Sequence, residues 1–326
     1  MNCVARRDFL IAVGALLTLP LAAEAQQAAR LPRIGVLLAE SGGARADDMR
    51  EGFRELGYVD GRTAVIEWRS WDGKPERLAE AVTELIRLRP DVIVVGGSEA
   101  AKAFKAATQT IPIVFSGPSY PVEEGLVESF ARPGGNITGV TLAQSDHVAK
   151  LLQVLRDVVP ALADVGVIWS SINPGSTFLF KETEEAARGL KLKLLSMPIG
   201  STADVEPALA AMARARPSAV VVFPAVLINA NAERIVESAI RLRIPSITQN
   251  KALMERGLLM SYGADIRDVQ RRVPSYVDRI LKGAKPAAMP VERPTKFELA
   301  INMKTAKAIG LSIPQSLLLR ADVVIQ

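Results

Sequence analysis

The sequence predicts an α/β fold: two doubly wound, parallel-sheet lobes joined by a multi-strand hinge. Three observations carry this. Short apolar runs rich in Val, Ile and Leu alternate with amphipathic segments, the pattern of strands buried on both faces with helices packed over them. The alternation restarts after the turn cluster Arg132-Pro133-Gly134-Gly135-Asn136. At 326 residues the chain exceeds one ordinary domain of about 100–200 residues.

The elements follow in order. Arg33–Ala39 is a continuous apolar run and reads as a buried strand. Ala46–Leu56 is helical, with Gly57 as its stop. Ala64–Arg69 is a second strand. Pro75–Leu88 lines Leu78, Val82, Leu85 and Ile86 along one stripe, with Pro75 in the first turn. Asp91–Val95 and Ile111–Phe115 are strands, and Ser98 is placed to cap the helix between them. After Ile137–Leu142, the pattern resumes with helix Ser145–Val158 and strand Val165–Trp169. Further strands fall at Lys193–Met197, Ala219–Phe223 and Pro245–Thr248, with helices near Ser176–Gly189, Thr202–Arg214 and Asn229–Leu242. Then come strand Leu258–Tyr262 and helix Ile266–Lys282, which Pro274 should kink. Pro286, Pro290 and Pro294 punctuate a linker; a short strand, a helix around Met303–Ile309 and the segment Leu311–Ile325 close the chain. A tail of this size has no core of its own, so it must pack on the lobes and cross between them more than once. Lobe one is expected at 31–142 plus about 265–290, and lobe two at 143–264 plus about 291–326.

The N-terminus reads as an address. Arg6-Arg7-Asp8-Phe9-Leu10 precedes the apolar run Ile11–Ala23, and Ala23-Glu24-Ala25 is a small-x-small cleavage site. The paired arginines match a twin-arginine export signal. The apolar run, with Pro20 inside it, is short of the roughly 20 residues that span a bilayer. The expected product begins at about Gln26, is periplasmic and monomeric. Charges in the first 25 residues cancel, so that product keeps the net +5.

Composition excludes several chemistries. The single cysteine, Cys3, precedes the cleavage site, which leaves no disulfide, thiolate metal site or Cys nucleophile afterwards. The single histidine, His147, makes no metal cluster alone and reads as a helix-surface or capping residue, with general base as the alternative. GxSxG and HExxH are absent. The adjacent pairs Asp47-Asp48 and Glu123-Glu124 diverge rather than converge. No enzyme and no cofactor is expected. Lys and Arg are scattered, with Arg271-Arg272 the one adjacent pair after the leader, so no nucleic acid is expected.

In open parallel sheets, ligands bind beyond the carboxyl ends of the strands. That rule selects Glu40, Ser41, Ser98, Glu99, Ser116, Tyr120, Ser171, Asn173, Pro224 and Gln249, and Tyr262 joins them on a crossover. Hydroxyls and helix-terminal amides suit a carboxylate, Glu40 or Glu99 suits an amine, and Tyr120 and Tyr262 suit an apolar group. Structural roles compete. Ser41, Ser98 and Ser171 stand where N-caps belong, and Glu99 fits a helix dipole. Tyr262 and Trp169 fit cores, and Asn173 fits a turn. Gly96-Gly97-Ser98 lacks the rest of a phosphate loop.

Several stretches together resemble the ABC-transporter substrate-binding family that includes tryptophan- and tyrosine-type binding proteins. They are Phe53–Tyr58, Asp91–Val95, Ala107–Val114, Gly125–Val127, Ala131–Val140, Met260–Gly263, Tyr276–Pro286 and Pro294–Leu299. The resemblance implies a type I periplasmic-binding-protein fold. It also implies a small polar organic ligand, an amino acid or related carboxylate, held between the lobes and delivered to an ABC permease at the inner membrane. A sensor subunit presenting ligand to a membrane receptor is the alternative. The acid that the family carries before its Pro-Val pair is Tyr120 here, ahead of Pro121-Val122, so an acidic ligand contact at that position is not carried over.

Overall fold

The computed structural model describes residues 30–40, 42–142 and 147–326. The expected leader, the proposed ligand residue Ser41 and the start of the expected helix Ser145–Val158 lie outside them.

The first sheet contains β1 (Arg33–Leu38), β2 (Val65–Ser70), β3 (Val92–Gly96), β4 (Ile113–Ser116) and β5 (Ile137–Val140). All pairs are parallel, in the order β2-β1-β3-β4-β5. Its two faces are both covered, which is why the central strand β3 is apolar and buried at every position from Val92 to Val95. Val92 and Val94 face helix α1 (Ala44–Glu55) and its neighbours, in a cluster with Met49 and Phe53. Ile93 and Val95 face the other way, toward α2 (Pro75–Arg87) and α3 (Ser98–Ala107), with Leu85 and Phe104. Each such side chain contributes about 1.5–3 kcal/mol on burial.

The second sheet is built on the same plan. It holds β6 (Asp164–Ser170), β7 (Lys193–Ile199), β8 (Ala219–Val222), β9 (Ser246–Thr248), β10 (Met260–Ala264), β11 (Phe297–Asn302) and β12 (Val323–Ile325). The order is β12-β11-β10-β9-β8-β6-β7. Its parallel part repeats the first sheet's order, and antiparallel β11 with its partner β12 extends it. The helices of this half are α4 (His147–Val158), α5 (Pro174–Gly189), α6 (Val205–Ala215), α7 (Val226–Ala230), α8 (Ala232–Leu242) and α9 (Lys251–Glu255).

The chain passes between the sheets three times: after β5, after β10 and before β11. Between the last two passages, α10 (Ile266–Leu281) packs on α1 and over β3, β4 and β5. At Gly52 the helices approach so closely that a Cβ would stand 3.0 Å from Pro274 Cγ. Tyr58 donates to Asp278 at 2.9 Å, and burial together with that carboxylate pushes the phenol up to about 12. Residues 286–292 then lie along β5: Thr138 donates to the Met289 carbonyl at 2.6 Å, and Val140 bridges Glu292. The chain ends with α11 (Met303–Ile309), α12 (Gln315–Leu318) and β12.

Two expected helices are divided. Thr202–Arg214 begins as a short 3-10 turn over Thr202–Asp204, because Ser201 and Asp204 cap each other's backbone, and α6 starts only afterwards. Asn229–Leu242 is α7 followed by α8, separated at Asn231, whose side chain donates to the Leu227 carbonyl at 2.9 Å. Helix α9 was not expected; Asn250 caps it by accepting from the Ala252 amide at 2.8 Å. Among the described residues no helix is long and apolar enough to cross a membrane.

Candidate functional site

With parallel strands in this order, the carboxyl ends of β1 and β3 flank the point where the chain reverses direction across the sheet, and those of β6 and β8 do the same in the second lobe. The loops at these ends face one another. Asn173, the residue before α5, joins the lobes. Its side-chain oxygen accepts from the Ser176 amide at 2.8 Å, and its side-chain nitrogen donates to Glu99 Oε1, in the first turn of α3, at 2.6 Å. Asn173 is therefore a cap rather than only a turn residue, and Glu99 serves both its helix and the opposite lobe.

Ser98 is not a cap. Gly97 takes that position, and Ser98 Oγ instead donates to Glu124 Oε1 at 2.9 Å. A capping residue stands just outside the helix, and Ser98 is already its first helical residue, behind Gly97 with its φ of 87°. Ser171 does not cap α5 either, because Asn173, two residues later, holds that place. Glu124 turns inward while its neighbour Glu123 is exposed. Its side chain has no solvent exposure, and Lys102 stands 3.9 Å away. Desolvation raises its pKa, Glu99 adds to that, and Ser98 and Lys102 oppose it. The first turn of α5 abuts this group, since a Cβ on Gly175 would lie 3.1 Å from Glu124 Oε1.

Tyr120 also crosses to the second lobe. Its hydroxyl donates to Glu182 on α5, and its ring lies 5.5 Å from that of Phe178. Burial first, and then Glu182, raises the phenol well above its ordinary value. At a third point, Val226 of α7 packs into the core on the α2–α3 side of lobe one, against the loop at Gly73.

Ser116, fully buried at the end of β4, belongs to a different group. Gln270 of α10 is 1% exposed; with its amide oriented so that the oxygen faces the donors around it, it exchanges hydrogen bonds with the Ser116 hydroxyl at 2.8 and 3.1 Å, and that oxygen accepts from Arg45 Nε and Nη2 at 3.3 Å each. Arg45 is exposed as a residue, while its guanidinium reaches the buried Gln270 and the backbone at Gly117. Desolvation lowers its pKa, and Glu40, exposed after β1, pushes it back up.

The remaining expected residues stand apart. Ser171 is exposed, and its amide donates to the Ile199 carbonyl at 3.1 Å. Pro224 is half-buried after β8, and the Gln249 carbonyl packs against Gly263. Tyr262 is half-buried on the lobe-two core, its ring stacked 5.5 Å from His147 at 9°. His147 is thus an inward-packed residue rather than a surface or capping one: its Nδ1 is buried without a partner, and burial lowers its pKa to about 4. Trp169 stacks on Phe180 and donates to Ser196 at 2.9 Å, a packing role.

Arg45, Glu124, Gln270 and Glu182 escaped the sequence reading. For Arg45 a signal existed: a cation in the first turn of a helix opposes the helix dipole, at a cost of about 0.3–1 kcal/mol. Among the described residues, no group of three or more His, Cys, Asp or Glu is placed to hold a metal ion. A depression of about 350 Å³, lined by Arg50, Arg54, Tyr58 and Trp68 among others, opens on the flank between α1 and β2, away from the strand ends. Its chemistry is ordinary surface chemistry, with Arg54 paired to Glu51 and Arg50 lying over the Trp68 ring.

Known proteins share this architecture. The chain is similar to a tyrosine-binding protein of Clostridioides difficile (strain R20291), with 23% identity over 271 residues, 81% of this chain and 77% of that protein. It superposes on an ABC domain in complex with L-Trp from Streptococcus pneumonia with a TM-score of 0.83 and 26% identity, covering 90% of this chain and 99% of that one. A conserved domain protein from Vibrio cholerae gives a TM-score of 0.85 at 24% identity, over 90% of this chain and 100% of that one, and shares the fold. The model of one family, described as ABC transporter substrate binding protein, matches residues 36–325. The chain therefore belongs to the ABC transporter substrate-binding protein family, whose members bind solutes rather than transform them.

Proposed function

We propose that this protein is an exported solute receptor that closes its two lobes on an amino acid or related small carboxylate and presents the closed form to an ABC permease at the inner membrane. The observation that carries this reading is the hydrogen bond from Asn173 to Glu99, which joins strand-end loops of opposite lobes. A ligand held between such loops binds the closed arrangement better than the open one, and that difference in affinity supplies the energy of closure. The printed names of its relatives, a tyrosine-binding protein and a domain complexed with L-Trp, support an amino acid as the ligand class. The contacting set in this reading is drawn from Glu40, Ser41, Ser98, Glu99, Ser116, Tyr120, Ser171, Asn173, Pro224, Gln249 and Tyr262. The moving bodies are 31–142 with about 265–290, and 143–264 with about 291–326. The twin arginines and the Ala25 cleavage site support export to the periplasm, where the protein acts as a monomer.

A thermal-shift screen of the purified protein against amino acids, small carboxylates and nucleosides tests the binding reading. An amino acid at a hundredfold excess over its dissociation constant adds about 2.7 kcal/mol to stability and raises the melting temperature. Stabilisation by nucleosides alone, or by none of the compounds, would overturn it.

A further inference from the structure

We infer that Arg45 is the anchor for the ligand's carboxylate, so that the protein selects solutes carrying a free carboxylate over their amides. This rests on the reading of the cleft as a solute site, and it assigns one end of the solute to a residue that reading did not contain.

Among the described residues, Arg45 is held along one side only. Gln270 accepts from Nε and Nη2, occupying one edge of the guanidinium. The brace is a neutral amide, itself fixed by the fully buried Ser116 hydroxyl. A carboxylate in that place would orient the guanidinium and also neutralise it. An amide orients it without pairing its charge. Among the described residues, Arg45 makes no ion pair, and Glu40 acts on it only through space. The remaining donors keep the planar geometry that matches a carboxylate with two parallel hydrogen bonds.

The surroundings are shaped for the same purpose. Arg45 follows β1, beside the strand-order reversal where ligands enter such sheets. Below it the chain leaves β4 at Gly117, with φ of 110°. A Cβ there would stand 3.3 Å from Arg45 Nη2, so a side chain at this position would crowd the guanidinium. The amide nitrogen of Gly97 lies 3.9 Å from that same Cβ position, and Glu99 Oε2 is 3.6 Å from a Cβ on Gly97. One positive and one negative side chain thus border a floor of two glycines. Arg45 provides for an anionic group, and Glu99 opposes any ligand whose charge is negative throughout. A zwitterion satisfies both.

Isothermal titration of L-tryptophan, L-tyrosine and L-leucine, each against its own carboxamide, tests this. A hydrogen bond to a charged group contributes about 1.5–3 kcal/mol, so the amide of whichever amino acid binds should be weaker on the order of 10- to 100-fold. In Arg45→Gln the preference for acid over amide should shrink to about threefold or less, and the melting temperature without ligand should not fall, since the cation opposes its helix dipole. Arg45→Lys keeps the charge without the planar fork and should fall between the two. It also serves as the readout should the glutamine variant not fold. Undiminished preference in both variants, or equal binding of acid and amide by the unaltered protein, overturns the role of Arg45 and leaves the solute-receptor reading standing. If no amino acid binds the unaltered protein, that reading falls and this inference falls with it.

Discussion

An imidazole buried with an unpartnered ring nitrogen resists protonation, and His147 is in that position between Tyr262 and Phe297. Its folded pKa of about 4 lies below the ordinary 6.5. The folded state therefore binds fewer protons than the unfolded state between those values. The associated stability is intact above pH 6.5 and is lost as pH falls through 4, by roughly 3 kcal/mol at 1.36 kcal/mol per pKa unit. His147→Phe keeps an aromatic ring in the stack and removes the titration. Melting curves at pH 7.5 and 4.5 should show a smaller acid-induced drop for the variant than for the parent. The same residue shows where sequence reading stops. Helix periodicity located His147 in a helix, but the rings against it come from β10 and β11, more than a hundred residues away. Glu124 and Gln270 were hidden for the same reason: each acquires meaning from a distant partner, Ser98 in one case and Ser116 with Arg45 in the other. Glu99 and Asn173 were legible because the strand-end rule depends on topology alone, and topology follows from the alternation of apolar runs.

At the scale of elements, α5 depends on a residue with two tasks. Asn173 caps the helix with its oxygen and bridges to Glu99 with its nitrogen. Aspartate caps as well as asparagine does but has nothing to donate, and it sets a second negative charge against Glu99. Asn173→Asp should therefore melt within about 0.5 kcal/mol of the parent while binding its ligand at least tenfold more weakly, by titration calorimetry. Asn173→Ala should lose on both counts, with about 1 kcal/mol of stability going with the cap. Element type was well marked in the sequence, since each strand's apolar run and each helix's stripe are local. The ends were less so. Asp204, inside the expected helix, instead pairs with Ser201 in a reciprocal cap, and Gly97 rather than Ser98 stands at the N-cap of α3. Pro274 lies inside α10 without ending it: the helix runs on to Leu281. Its ring lies against Gly52, so the proline is also a packing surface for α1.

For the molecule as a whole, the proposed closure of the lobes makes the contacts between them the place to look for its energetics. Tyr120 is one of them, reaching from lobe one to Glu182 and Phe178 on α5. Tyr120→Phe keeps the ring contact and removes the hydroxyl, at a cost to the closed form of about 1 kcal/mol. Calorimetry should show about fivefold weaker ligand binding, with the melting temperature of the unliganded lobes unchanged. Small-angle scattering should show the variant needing more ligand to reach the same compact form. An unchanged affinity would mean that Tyr120 does not report on closure.

The position of α10 governs the order in which the molecule can be assembled. The helix covers Met49 and Phe53 of α1 and is tied to that end of the chain by Arg271 with Glu55 and by Tyr58 with Asp278, partners 216 and 220 residues apart. A chain emerging from its N-terminus has made every strand of the first sheet by Val140, yet the apolar face of α1 stays uncovered until Leu281 has been made. The five parallel strands of the second sheet are complete earlier, at Ala264. The half that is begun first therefore receives its covering helix only after the parallel strands of the second half are complete, and loop closure of this length slows its formation. Any ending of synthesis between Ala264 and Leu281 leaves the second lobe with its parallel strands in place and the first with a bare hydrophobic flank.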